Sequence, residues 1–287
     1  MKNYPILILF LILISSCTKT INIDEERQYL EIKKGILYYK GVPFSGKTES
    51  KMVPFKTDGG YRIYDEGMLI EEFLEYSNGQ IKSKGSFIDG EEDGKHIKYY
   101  ENGQIKFEGS FITGKEDGKH IKYYENGQLE LKVTYKKGRR DGLREEYNEN
   151  GQLKLKENYK EGIRDGLREY YYENGQLELK VTYKKGRRDG LREEYNENGQ
   201  LKSKGNYKKD KKDGLWEEYY ENGQLKFKTN YKEDSPDGLW EEYYENGQLK
   251  KKGNNKKGWR EGLWEEYYEN GELNFTGNFK DGHYVRS

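Results

Sequence analysis

The chain has 287 residues, and its 52 Lys+Arg balance 52 Asp+Glu. Charged residues make up 36% and hydrophobic ones only 32%, too little aliphatic material for one large globular core. Zero net charge excludes a generic polyanion binder, so no nucleic-acid partner is expected, while 15% aromatics and 35 glycines at regular positions exclude a disordered chain.

The first element is an apolar run, Ile6–Ile14, behind the basic start Met1-Lys2. It is shorter than the ~20 residues a membrane-spanning helix needs, and it has the size of a signal-peptide core. The following Ile14-Ser15-Ser16-Cys17 resembles a bacterial lipobox, with an aliphatic residue and two small ones before the cysteine. That resemblance implies removal of residues 1–16, thioether lipidation of Cys17 and acylation of its new amine. Acyl chains contribute about 0.8 kcal/mol per buried CH₂, so the expected partner of Cys17 is a membrane. The expected address is the cell envelope, at the outer membrane or cell surface, with the periplasmic side open. Cys17 is the single cysteine, so no intramolecular disulfide can form. Residues 17–34 read as a polar tether. Residues 35–75, with Tyr38-Tyr39-Lys40-Gly41 and Pro43-Phe44-Ser45-Gly46-Lys47, read as degenerate capping repeats.

Residues 76–287 are an array. Asn-Gly recurs at Asn78, Asn102, Asn126, Asn150, Asn174, Asn198, Asn222, Asn246 and Asn270, nine copies at a constant 24-residue interval. A second punctuation, Asp-Gly or Glu-Gly, runs from Asp93-Gly94 to Glu261-Gly262 at the same interval. Residues 123–154 and 171–202 are identical. A fixed period of this length marks a repeat architecture.

Each period holds two strand-like runs around an Asn-Gly turn, such as Asn102-Gly103, Asn126-Gly127 or Asn222-Gly223. Asn-Gly between alternating runs is the strongest short hairpin signal. A two-residue loop at Asn222-Gly223 sets Tyr220 opposite Leu225, Trp216 opposite Thr229 and Glu217 opposite Lys228. A three-residue bulged turn instead sets Tyr219 beside Leu225; the first register is preferred. One face is then aromatic and aliphatic, and the other is a Glu/Lys ladder that accounts for the zero net charge. The fold class expected is all-β, an elongated antiparallel β-meander of repeated hairpins.

The unit Asp237-Gly238-Leu239-Trp240, then Tyr243-Tyr244-Glu245-Asn246-Gly247-Gln248-Leu249-Lys250, resembles the bacterial variant of the MORN repeat over about residues 76–282. The resemblance implies a β-meander of successive hairpins. Many bacterial members carry an antitoxin label, which sits poorly with an export signal at residues 1–17.

Chemistry of the catalytic kind is not expected: no catalytic residue, metal set or cofactor site stands out. His96 and His120 hold the repeat position that Trp216, Trp240 and Trp264 hold elsewhere, which makes them face aromatics. Adjacent carboxylates such as Glu217-Glu218 point to opposite faces of a strand. No glycine-rich loop has phosphate-loop spacing. The stripe Trp216, Tyr220, Trp240, Tyr244, Trp264 and Tyr268 is either the core of the curled sheet or a binding face for a protein partner of unknown identity. Three readings follow: a lipid-anchored, non-catalytic protein-binding scaffold; an immunity or antitoxin-type protein directed at one toxin; and a structural or glycan-contacting envelope component.

Overall fold

A computed structural model describes residues 19–50 and 59–286, so the lipobox and Cys17 lie outside the described residues. Strand accounts for 69% of the structure and helix for 3%. No described helix is long and apolar enough to cross a membrane. The chain divides into two compact units, Met1–Lys115 and Glu116–Ser287.

The first unit opens with β1 (Thr20–Asn22), the short helix α1 (Ile23–Glu26), and a three-stranded sheet of β2 (Leu30–Lys33), β3 (Ile36–Tyr39) and β4 (Val42–Pro43). Residues 17–34 are therefore not a free tether over their described part. The reason is Ile21, whose side chain is fully buried among Leu37, Tyr39 and Phe44, with Leu30 and Tyr64 packed around them. β1 runs parallel along β5 (Gly46–Ser50), which pairs with β6 (Gly59–Asp65) and then β7 (Met68–Glu75). A three-residue strand laid on the outer edge of β5 leaves little edge for a stray strand to join. The small sheet is tied to the β6–β7 turn by Leu37 N–H to Gly67 O and Gly67 N–H to Phe44 O, both 2.8 Å. The meander continues through hairpins at Ile81–Ile88, Glu91–Tyr99 and Ile105–Ile112.

The second unit is an antiparallel meander from Gly118–Tyr123 to His283–Val285, each strand pairing with the next. Its strands pack chiefly on their sheet neighbours, so side chains are buried by lying along the faces of one layer.

The Asn-Gly hairpins combine both registers considered from the sequence. Trp216 faces Thr229 and Glu217 faces Lys228, as the preferred register has it, but Tyr219, not Tyr220, faces Leu225, with Lys226 bulged out. The turn explains the change. Tyr220 N–H donates to Gln224 O and Gly223 N–H to Tyr220 O, at 2.8 and 2.9 Å, which encloses three residues, Glu221-Asn222-Gly223. Only the glycine takes positive φ, at 85°. Asn222 closes the turn with its side chain, Oδ1 accepting from Gln224 N–H at 2.9 Å.

Asp-Gly is not a reversal at all. The two-residue turns lie just before it, for example Lys137-Gly138 at φ 52° and 75° and Lys209-Asp210 at 51° and 73°. Positive φ at both central positions is the turn that matches strand twist. Asp141-Gly142 then falls in a bulge, where register jumps between Val133–Arg144 and Tyr135–Arg140 and Gly142 sits at φ 108°.

The faces also sort differently in part. Leu215 and Tyr219 share the face of Glu217, and Tyr219 OH donates to Glu217 at 2.8 Å. The Glu/Lys ladder itself is present, with Lys204–Glu217, Lys228–Glu241 and Lys252–Glu265 at 2.7, 2.6 and 2.7 Å.

Candidate functional site

The stripe proposed from sequence resolves into two rows. The first runs across the middle of the strands. Trp216 and Trp264 are 4% and 2% exposed. Trp216 sits edge-on to Tyr207 and Tyr231 at 5.7 and 6.3 Å, between Gly205 and Thr229 on the flanking strands. Gly205 is the notch for this ring, since a Cβ there would lie 1.9 Å from Trp216 Cε3. Gly253 notches Trp264 in the same way. Trp240 is half-buried and stacks on Phe227 at 5.0 Å. The indole N–H of Trp264 reaches Asn254 O at 3.0 Å, whereas those of Trp216 and Trp240 are buried with no acceptor among the described residues. In the first unit, His96 is 5% exposed and sits edge-on between Phe87 and Phe111 at 5.1 and 5.2 Å. Its Nε2 is 2.7 Å from Ser86 O.

The second row lies at the turns and stitches repeats together. Tyr220 OH donates to Tyr243 O at 2.8 Å and Tyr244 OH to Tyr267 O at 2.9 Å. Asn222 Nδ2 donates to Glu245 O at 2.9 Å. Asn126, whose glycine partner is Gly127, makes the same bond to Glu149 O at 2.9 Å. Tyr268, in the last turn, is 52% exposed. At the other end of the strands, the bulge aspartates hold the turn of the following repeat, as in Asp117 Oδ2 to Lys137 N–H at 3.0 Å. Tyr, Asn and Asp of the motif thus each satisfy backbone groups one repeat onward.

Between the histidine and tryptophan repeats the middle row turns ionic, which sequence reading missed. Arg144, Arg168 and Arg192 replace the aromatic ring, and Glu157 stands where Gly205 does. Glu157 is 1% exposed. It accepts from Arg144 at 2.7 Å, Arg164 at 2.9 Å and Tyr159 OH at 2.9 Å, with Arg168 Nε at 3.3 Å. Burial pushes its carboxyl up, but the bonds from Arg164 and Tyr159 and the charges of Arg168 and Arg164 prevail, so it is held below the usual carboxylate range. Arg144 and Arg192 also pair with Glu146 and Glu194. The signal was available: Glu157 interrupts Lys154, Lys156 and Lys160 at a position held by Val133, Val181 or Gly205 elsewhere. Nε of Arg144 and of Arg168 is buried without a hydrogen bond among the described residues.

A row of cations flanks the middle row and lies over its rings. Arg188 is 4.0 Å from the Tyr207 ring and Lys212 4.0 Å from Trp216. Burial lowers the affinity of Lys212 for its proton. On the opposite face Leu191, Leu215, Leu239 and Leu263 are 39–52% exposed, one per repeat.

No curated protein matches the chain. Among solved structures it is similar to one titled "Crystal Structure of TcdB2-TccC3-Cdc42", at 12% identity, over 87% of this chain and 17% of that one. The TM-score of 0.16 is too low to support an argument about fold. The MORN repeat variant family matches residues 92–112, 116–137, 140–161, 164–185, 188–209, 212–233, 236–256 and 260–281. These eight segments take up more than half of the sequence and coincide with the bulge, two-residue turn and stitched strands described above, so the chain belongs to the MORN repeat variant family.

Proposed function

We propose that this chain is a lipid-anchored, non-catalytic scaffold that binds another protein along the middle row of its repeat array. Cys17 supplies the anchor and the envelope is the place of action. The observation that carries the reading is the unspent donors: N–H groups of Trp216, Trp240 and Arg144 are buried on one face of a single layer without hydrogen-bond acceptors among the described residues. Buried polar groups normally find partners, and a chain that wedges between these side chains and uncovers the N–H groups brings carbonyl or carboxylate oxygens to them. Repetition supports binding over turnover, because a catalytic site is a unique constellation and the repeated groups are used for stitching.

The test is capture by the full-length, membrane-anchored chain after cross-linking in its own cells. A stoichiometric protein lost on Trp240→Phe, with the melting curve unchanged, supports the reading. Capture insensitive to both Trp216→Phe and Trp240→Phe overturns it. A captured toxin selects the immunity function, and retention on cell-wall polymer alone selects the envelope-structural one. For the anchor, Cys17→Ser is expected to move the protein out of the membrane fraction; persistence there sinks the lipoprotein assignment.

A further inference from the structure

The chain is neutral as a whole, but its second unit sorts charge between the two ends of its strands. In a meander the two kinds of turn lie on opposite flanks of the sheet. Backbone bonds set the two-residue turns side by side: Gly162 N–H donates to Arg140 O, Gly186 N–H to Arg164 O and Asp210 N–H to Arg188 O, at 2.8, 2.8 and 2.9 Å. Exposed cations cover this flank at three turns, Lys137 with Arg139, Lys185 with Arg187, and Lys208 with Lys209. The turn between the first two is mixed, with Lys160 and Glu161, and Glu233-Asp234 ends the basic stretch. The nearby bulge aspartates are engaged by backbone N–H groups, as Asp165 is by Lys185 at 3.0 Å.

The other flank is acidic. Each Glu-Asn-Gly loop from Glu125 to Glu269 carries one exposed glutamate and no cation. Lysines that follow these loops are turned elsewhere: Lys202 and Lys250 bind Glu194 and Glu242, both at 2.8 Å, and Lys226 lies over the Tyr220 ring at 5.8 Å. Among the described residues no ion pair engages the side chains of Glu149, Glu173, Glu197 or Glu221, or the six cations at the three basic turns.

We propose that copies of this chain associate side by side, the basic turn flank of one against the Glu-Asn-Gly flank of the next. Pitch selects the occupant. Both flanks belong to one array, so both repeat every 24 residues, which is about 10 Å along the sheet. A second copy therefore brings a carboxylate to every turn in step, whereas an arbitrary acidic surface does not. The two flanks differ, so each added copy leaves one flank of each kind open to another. Exposed ion pairs are weak singly. The three basic turns must therefore act together, and salt undoes the contact.

Sedimentation velocity of the purified full chain in non-ionic detergent reads the association. At low ionic strength the sedimentation coefficient is expected to rise with protein concentration. In about 1 M salt, where the screening length is about 3 Å, the chain is expected to run as a monomer. Two triple variants carry the decisive comparison. Lys137→Glu with Lys185→Glu and Lys209→Glu removes the cation excess from the turn flank; glutamate already holds this turn position at Glu161, with φ 52°, so the fold accepts it. Glu149→Lys with Glu173→Lys and Glu197→Lys reverses the loop flank. Each variant alone is expected to associate roughly tenfold more weakly than the parent. The first keeps its acidic flank and the second its basic one, so an equimolar mixture is expected to associate more strongly than either alone. A parent that stays monomeric at low salt, association that persists in about 1 M salt, or a mixture no more associated than its components overturns the proposal. Parent monomers that bind polyglutamate instead assign the basic flank to a foreign acidic chain and overturn it too. If a variant fails to fold, the salt response of the parent decides.

Discussion

Replacing Glu157 by alanine is the most informative single change to the middle row. It leaves Arg144, Arg164 and Arg168 converging on a site without their shared carboxylate. Breaking a buried ion pair by removing one partner costs about 3–5 kcal/mol. Here the side chains of Arg144 and Arg168 are 13% and 15% exposed and that of Arg164 is 40%, so water relieves part of the repulsion. The expected cost is therefore about 2–4 kcal/mol, and about 1–2 kcal/mol for Glu157→Gln, which keeps the shape and the acceptor. Urea titration gives the total. Because a repeat array need not unfold in one step, hydrogen exchange by mass spectrometry locates the loss, expected at Leu153–Tyr171. A Glu157→Ala protein within about 0.5 kcal/mol of the parent, or losses centred on 225–280, refutes the claim that this cluster holds the unit together.

Acid should act on the same group. Its carboxyl is held below the usual range, so its contribution is complete at neutral pH and is lost as pH falls through that lowered value. Glu157→Gln is expected to flatten this acid limb in melts run from neutral pH downward. Tyr220→Phe removes one stitch to Tyr243 O and should cost about 1 kcal/mol, read from urea midpoints. Gly205→Ala drives a methyl into the Trp216 ring and should cost about 1–3 kcal/mol, with a change in tryptophan emission; an unaltered spectrum and midpoint contradict the notch. Lys228→Gln opens a half-exposed ladder pair and should cost under about 1 kcal/mol, less at high salt.

The sequence made the period, the hairpins and the ladder legible, because alternation and Asn-Gly are local signals. It misled where a side chain, not the backbone, closes the turn. A two-residue loop at Asn222-Gly223 needs positive φ at both residues, but the Oδ1 of Asn222 accepting from Gln224 N–H allows ordinary φ and a third loop residue. That extra residue moved Tyr219 opposite Leu225. The Asp-Gly spacing was visible, but its meaning was not, since Asp117 acts on Lys137, 20 residues away. The tether expectation at 17–34 failed because one apolar residue, Ile21, finds a core that composition could not reveal. Of the candidate face, the Trp216 and Trp264 positions were legible by alternation. The roles of Tyr220 and Tyr244 as donors to the next repeat were not, because their acceptors are backbone groups.

The ionic stretch of the middle row has a further consequence for folding. Residues 123–154 and 171–202 are identical, so neither segment by itself can tell the chain where it belongs. Their neighbours can. Arg144 of the first copy meets Glu157, whereas its twin Arg192 meets Gly205; Val133 meets His120, whereas its twin Val181 meets Arg168. If the two copies traded places in assembly, within one chain or between two, the segments themselves would fit equally well. Discrimination therefore rests on residues outside the duplicated stretch. Any later drift of 155–170 toward the Gly-Trp pattern would erase the Glu157 half of that address and leave His120 against Val133 as the contact that still tells the first copy from the second.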